Sequence, residues 1–219
     1  MLPYIDIHTH HEKSDNTVFQ LLNKIIGRET VSDKVYSVGI HPWYVDTDYN
    51  NQFLILENIA QQANVLAIGE CGLDKICPTN WEIQIKIFEK RIQLAKDLQK
   101  PFIIHAVKSY QEIFEILKAQ QVHIPVLFHG FNKKRELAQS ILQQDYYISL
   151  GTSILNGTQD SLIQSVDLSK IFLETDNKSI NIVDIYSYFC RVRNISIEQL
   201  KQQLVQNMSN VFNYKIVPQ

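Results

Sequence analysis

The run Ile5-Asp6-Ile7-His8-Thr9-His10 carries two histidines two residues apart. Side chains along a strand alternate faces, so His8 and His10 point the same way, about 6 to 7 Å apart, and can converge on one metal ion. Such a pair often arises by chance and argues little alone. Its weight comes from ionisable residues at the ends of other apolar runs: Ala67-Ile68-Gly69-Glu70, Ile103-Ile104-His105, Leu127-Phe128-His129 and Phe172-Leu173-Glu174-Thr175-Asp176. A carboxylate placed like Glu70 is costly to bury unless something neutralises it. Together His8, His10, His105, His129, Glu70 and Asp176 suit Zn²⁺, Mn²⁺ or a related divalent ion. Two carboxylates leave a pair of such ions with positive charge to hold an anion.

For these residues to meet, the runs that carry them must be parallel strands with their C-terminal ends on one edge. Short apolar, β-branched runs alternate with longer amphipathic stretches, the signature of βα units and a parallel sheet. Strands are expected over residues 4–8, 35–40, 65–70, 102–105, 126–129, 146–150 and 170–174. Helices are expected over 51–63, 81–98, 109–121, 133–144 and 158–165, with a helical C-terminal third in which Ser196 is an N-cap. In the clearest helix Ile85, Phe88, Ile92, Ala95 and Leu98 mark a stripe expected to be buried, and Pro101 stops it. Seven strands suit an open doubly wound sheet or a closed barrel, and their number does not decide. The first strand is followed by no GxGxxG, and neither GxxxxGK(S/T) nor GxSxG occurs, so nucleotide-cradling and serine-hydrolase readings lack support. In a parallel barrel all strand C-termini open on one mouth, which would gather the six residues.

Composition sets the outer bounds. With 219 residues, 45% hydrophobic and 20% charged, the chain has the make-up of one globular domain, expected over 1–219. A net charge of −2 excludes nonspecific coating of duplex nucleic acid, so any nucleic-acid contact is local. Cys71, Cys77 and Cys190 form no CxxC, which argues against a disulfide framework or a cysteine zinc ribbon. The opening residues lack a signal-peptide pattern and no apolar run approaches the roughly 18 residues that span a bilayer. The expected address is the cytoplasm, with no membrane contact and with a monomer favoured.

Six dispersed motifs, Asp6-Ile-His8-Thr-His10, Gly39-Ile-His41-Pro42, Ile68-Gly-Glu70-Cys-Gly-Leu-Asp74, Pro101-Phe-Ile-Ile-His105, Phe128-His129-Gly130-Phe131 and Leu173-Glu174-Thr175-Asp176, agree in order and register with one family. The set resembles the TatD-type metal-dependent hydrolases, from residue 4 to about 215. The resemblance implies an α/β fold, a distorted TIM-type barrel of the amidohydrolase superfamily, with two divalent ions (Zn, Mn or Mg). It also implies hydrolysis of phosphoesters, often in DNA from a 3′ end. Carried over residue by residue, it makes His8 and His10 ligands of the first metal, Glu70 the bridging carboxylate, and His105 and His129 ligands of the second. Asp176 becomes a first-metal ligand that also orients or deprotonates the attacking water. Residues 11 through 34 are too few for the helix, strand and second helix of a full barrel, so seven strands are expected, with one βα unit missing or shortened near the N-terminus.

The departures bear on substrate. The family's arginine two residues after the fourth-strand histidine is absent from His105-Ala106-Val107-Lys108, which removes a bidentate phosphate grip and leaves Lys108 as a point charge. Lys133, in Asn132-Lys133-Lys134-Arg135 at a helix N-terminus, opposes the helix dipole and so mildly favours an anion site. Lys178 follows Asp176, and His41 ends a strand beside Trp43, an aromatic on which a base can stack. His41, Trp43, Lys108, Lys133 and Lys178 are therefore the substrate-binding candidates, for a phosphoester such as a single-stranded DNA end. The alternatives are an amidohydrolase or esterase on the same barrel, and a metal-binding relic without catalysis.

Overall fold

All seven expected strands, and an eighth, are present in the computed structural model of the chain, which describes residues 1–28 and 33–216. The strands are β1 (Tyr4–Thr9), β2 (Val18–Ile25), β3 (Tyr36–Gly39), β4 (Val65–Asp74), β5 (Phe102–Val107), β6 (Val126–Phe128), β7 (Tyr147–Leu150) and β8 (Ile171–Leu173). They form one eight-stranded sheet in sequence order, the order of an α/β TIM-type barrel. Helices α1 (Tyr49–Ala60), α2 (Trp81–Asp97), α3 (Tyr110–Ala119), α4 (Arg135–Leu142), α5 (Asp160–Ser165), α6 (Ile182–Arg193) and α7 (Ile197–Phe212) lie between and after them.

The expectation of seven strands is corrected by β2. Val18-Phe-Gln-Leu-Leu-Asn-Lys-Ile25 has no clean alternation and includes Asn and Lys, so it lacks the period that marks a strand in sequence. What is short is its surroundings, since no helix stands on either side of β2 among the described residues.

By contacts the chain divides into two units, Met1–Leu22 with Phe128–Gln219, and Asn23–Leu127. In the first, β1 pairs in parallel with the start of β2, and β7 with β8. β1 also meets the end of β8: Asp176 N donates to His8 O at 2.8 Å and His10 N to Asp176 O at 3.2 Å. β1 is buried from Ile5 to Thr9, as a strand covered on both faces must be. Helix α6 anchors it through Tyr186, whose hydroxyl accepts from Ile5 N at 2.8 Å and donates to Ile5 O at 3.2 Å. Helix α7 opens on the expected Ser196 cap, a capping box completed by Gln199. Its buried Asn207 Nδ2 donates to Leu168 O at 2.8 Å and Ile171 O at 2.9 Å, which fixes the start of β8.

In the second unit β3, β4 and β5 are parallel neighbours. β4 and β5 approach so closely at Gly72 that a Cβ there would run into the His105 carbonyl. The buried face of α2 is rotated from the expected stripe: Gln84, Ile87, Phe88, Arg91, Ile92, Leu94 and Ala95 are buried, while Ile85 and Leu98 are only partly so. Hydrogen bonds to backbone allow the two polar members inside. Gln84 Nε2 donates to Asp74 O at 3.1 Å and Thr79 O at 2.9 Å, and Arg91 Nη1 donates to Ile40 O. No helix among the described residues is long and apolar enough to cross a membrane.

Asn207→Ala leaves the buried Ile171 carbonyl and the part-buried Leu168 carbonyl without their donor and is expected to lower stability by about 1 to 3 kcal/mol in denaturant unfolding. Gln206→Ala, on the exposed side of α7, should stay within about 0.5 kcal/mol.

Candidate metal centre

In the first unit the ionisable side chains meet where β1 and β8 come together. His8 is wholly buried in β1, and His10 follows the strand on the same face, with ring centroids 5.5 Å apart. Asp176 Oδ1 lies 3.9 Å from His8 Nε2 and 3.6 Å from His10 Nε2. His129, just past β6, brings its ring centroid to 4.2 Å from that of His8. One donor atom each from His8, His129 and Asp176 lies within 4.8 Å of the other two.

Residues that the sequence reading gave no role hold this group in place. Asp6, two residues before His8 on β1, accepts from Thr175 N at 2.9 Å and Thr175 Oγ1 at 2.7 Å. Asp176 then adopts φ 53°, a left-handed conformation costly for a non-glycine residue and sustained by the bonds on either side. Burial pushes the Asp6 carboxyl up to about 7, although both Thr175 hydrogen bonds pull it down. Glu174 Oε1 lies 3.5 Å from His129 Nδ1, and Ser149 Oγ donates to Glu174 Oε2. Burial raises the Glu174 carboxyl, but His129, His8 and Ser149 together hold it below its ordinary value.

The second unit builds its group around Glu70, midway along β4. His105 Nδ1 lies 2.8 Å and His41 Nε2 3.4 Å from Glu70 Oε1, and donor atoms of the three residues lie within 4.8 Å of one another. Asn23 of β2 seats the carboxylate: its Oδ1 accepts from Glu70 N at 2.9 Å and its Nδ2 donates to Glu70 Oε2 at 3.3 Å. Asp74 Oδ2, at the end of β4, lies 3.4 Å from His105 Nε2 and accepts from Trp43 Nε1 at 2.6 Å. Burial raises the Asp74 carboxyl, yet the bonds from Trp43, Ile76 and His105 hold it below its usual value.

In each unit, then, imidazoles converge with a carboxylate at the ends of parallel strands, and further carboxylates orient the imidazoles from behind. Nitrogen and oxygen donors in such sets fit a divalent ion of the Zn, Mn or Mg type. His41, read from sequence as a substrate contact, stands within ligand reach of Glu70 and His105. Trp43 sits beside it with ring centroids 5.7 Å apart. Lys108, Lys133 and Lys178 are exposed, and none forms an ion pair with a described residue. The supporting Asn23 was hidden by the unread β2. Asp74 and Glu174 were visible within motifs, but only their burial and partners show what they do.

An α/β barrel with these donor sets at its strand ends defines a metal-dependent hydrolase. The profile of the TatD-related DNases matches residues 5–213, and the chain belongs to that family. An uncharacterized metal-dependent hydrolase of Methanocaldococcus jannaschii is 27% identical over 195 residues, covering 82% of this chain and 76% of its own. The Homo sapiens deoxyribonuclease TATDN3 is 29% identical over 175 residues, 72% of this chain and 63% of its own. Among solved structures, YJJV, a TatD homologue from Escherichia coli K12, superposes with a TM-score of 0.82 at 20% identity over 98% of both chains.

Asn23→Ala removes both contacts that seat Glu70. It is expected to weaken divalent-metal binding by about 10- to 100-fold in calorimetric titration with the fold retained; unchanged affinity would show that Asn23 does not position the ligand.

Proposed function

We propose that the chain, working as a single catalytic domain, is a phosphodiesterase of the TatD type acting on DNA ends. His8, His10, Glu70, His105, His129 and Asp176 supply the ligands for two divalent ions, and His41 stands in reserve beside Glu70. The observation that carries this is the convergence of imidazole and carboxylate donors within 4.8 Å in both units. Divalent ions bound there would supply water activated near neutral pH and positive charge to offset the negative charge developing on phosphoryl oxygens.

Asp176 is the general base. Its side chain is one-third exposed, so it faces both the buried His8 and solvent from which water enters. The held left-handed backbone fixes its aim. Glu174 and Asp74 keep His129 and His105 oriented. The relative named deoxyribonuclease supports DNA as the substrate class. Trp43 supports a base contact: it is 53% exposed, yet its indole N–H is pinned by Asp74, so the ring offers a fixed face. Lys108, Lys133 and Lys178 attract the phosphate backbone as point charges. Hydrolysis of an amide or ester is the second reading, favoured by Ala106-Val107 where the family places its phosphate-gripping arginine.

With protein purified without chelators, Asp176→Asn should lower turnover of a single-stranded oligodeoxynucleotide by about 10²- to 10⁴-fold while the melting temperature holds. Full activity would remove Asp176 from the role of base. Inorganic phosphate should compete with the substrate; turnover of amides unaffected by phosphate would favour the second reading. Trp43→Ala should raise KM by about 5- to 150-fold, the worth of one stacked base. In a Trp81→Phe background, where Trp43 is the one tryptophan left, the oligonucleotide should quench indole emission.

A further inference from the structure

The first unit contains a second feature, at the end of β1 away from His8. A cavity of about 540 Å³ opens beside the starts of β1 and β2, walled by Tyr4, Val18, Phe19, Tyr214 and the α7 residues Glu198 and Lys201. Its size lies within the range of small-molecule sites. Phe19 and Tyr214 pack with ring centroids 5.3 Å apart, so one wall is continuous aromatic surface.

Lys201 is the residue that asks for a ligand. It is only 3% exposed, on the inward face of α7 between Leu200 and Leu204. Lysine is seldom buried to this extent without an anionic partner, because an ammonium taken out of water loses hydration that only hydrogen-bond acceptors replace. Its Nζ rests 3.7 Å from the Tyr4 ring centroid, a cation–π contact, and it makes no hydrogen bond or ion pair with any described residue. The ammonium thus has no protein acceptor among the described residues and stands at the cavity wall. Lys215 adds a second positive charge to the lining and Glu198 a single negative one.

We infer that this cavity binds an aromatic carboxylate, its anionic end on Lys201 and its ring against Tyr4, Phe19 and Tyr214. The acid group gives the Lys201 ammonium a charged acceptor, and the flat body matches the aromatic wall. Nothing in this depends on the reaction catalysed at the other end of β1.

Calorimetric titration of the intact protein with naphthalene-2-carboxylate and with the uncharged naphthalene-2-methanol is the test. The acid should bind more tightly than the alcohol by about tenfold or more, the worth of one charge-assisted hydrogen bond. Lys201→Met should bring the acid down to the affinity of the alcohol, and Lys201→Arg should restore it. Phe19→Leu, which trims the wall and leaves the cation, should weaken both ligands and serves if Lys201→Met fails to fold. No binding of the acid, equal binding of acid and alcohol, or acid binding insensitive to both Lys201→Met and Phe19→Leu would overturn the assignment.

Discussion

Burying carboxylates at the ends of apolar strands is the constraint from which the rest of the structure follows. A lone carboxylate there would forfeit its hydration for nothing, so each is surrounded by groups that receive its charge. The Glu70 side chain, 5% exposed, meets His41, His105 and Asn23, and Glu174 meets His129 and Ser149. Imidazoles gathered around a carboxylate can share with it a cation held in common. The demand for neutralisation and the capacity to bind metal are thus the same property of these sites.

Backbone geometry delivers the side chains to this arrangement. Gly72 lets β4 lie against the carbonyl of His105, and any larger residue would push β5, and the imidazole with it, away from Glu70. Arg91 reaches from α2 to the carbonyl of Ile40, the residue before His41. On the other unit Asp6 holds Thr175 by two bonds, so Asp176 emerges from β8 in one orientation. Each of these side chains is therefore held by a neighbour on a rigid element, as a centre placed to within fractions of an ångström requires.

The strands that carry the clustered imidazoles and carboxylates were legible because their apolar runs are short, β-branched and closed by an ionisable residue. β2 was not: it carries no member of either cluster, only Asn23, and Asn within an unalternating run reads as a break. The stripe on α2 was misplaced by part of a turn because Gln84 and Arg91 are inside, and period analysis assigns polar residues to solvent. The gathering of His8, His10, His129 and Asp176 was legible from strand phase. The place of His41 beside Glu70 was not, since nothing local shows which imidazole will reach the carboxylate. Lys201 illustrates the same limit, as a lysine on an amphipathic helix gives no local sign that it faces inward.

Anomalous diffraction from crystals of protein purified without chelators, recorded at the absorption edge of the metal it carries, tests the central claim most directly. Peaks should appear about 2.0 to 2.3 Å from donor atoms of His8, Asp176, Glu70 and His105. Well-ordered side chains at these four positions with no anomalous peak beside them, even after soaking in zinc or manganese, would contradict it.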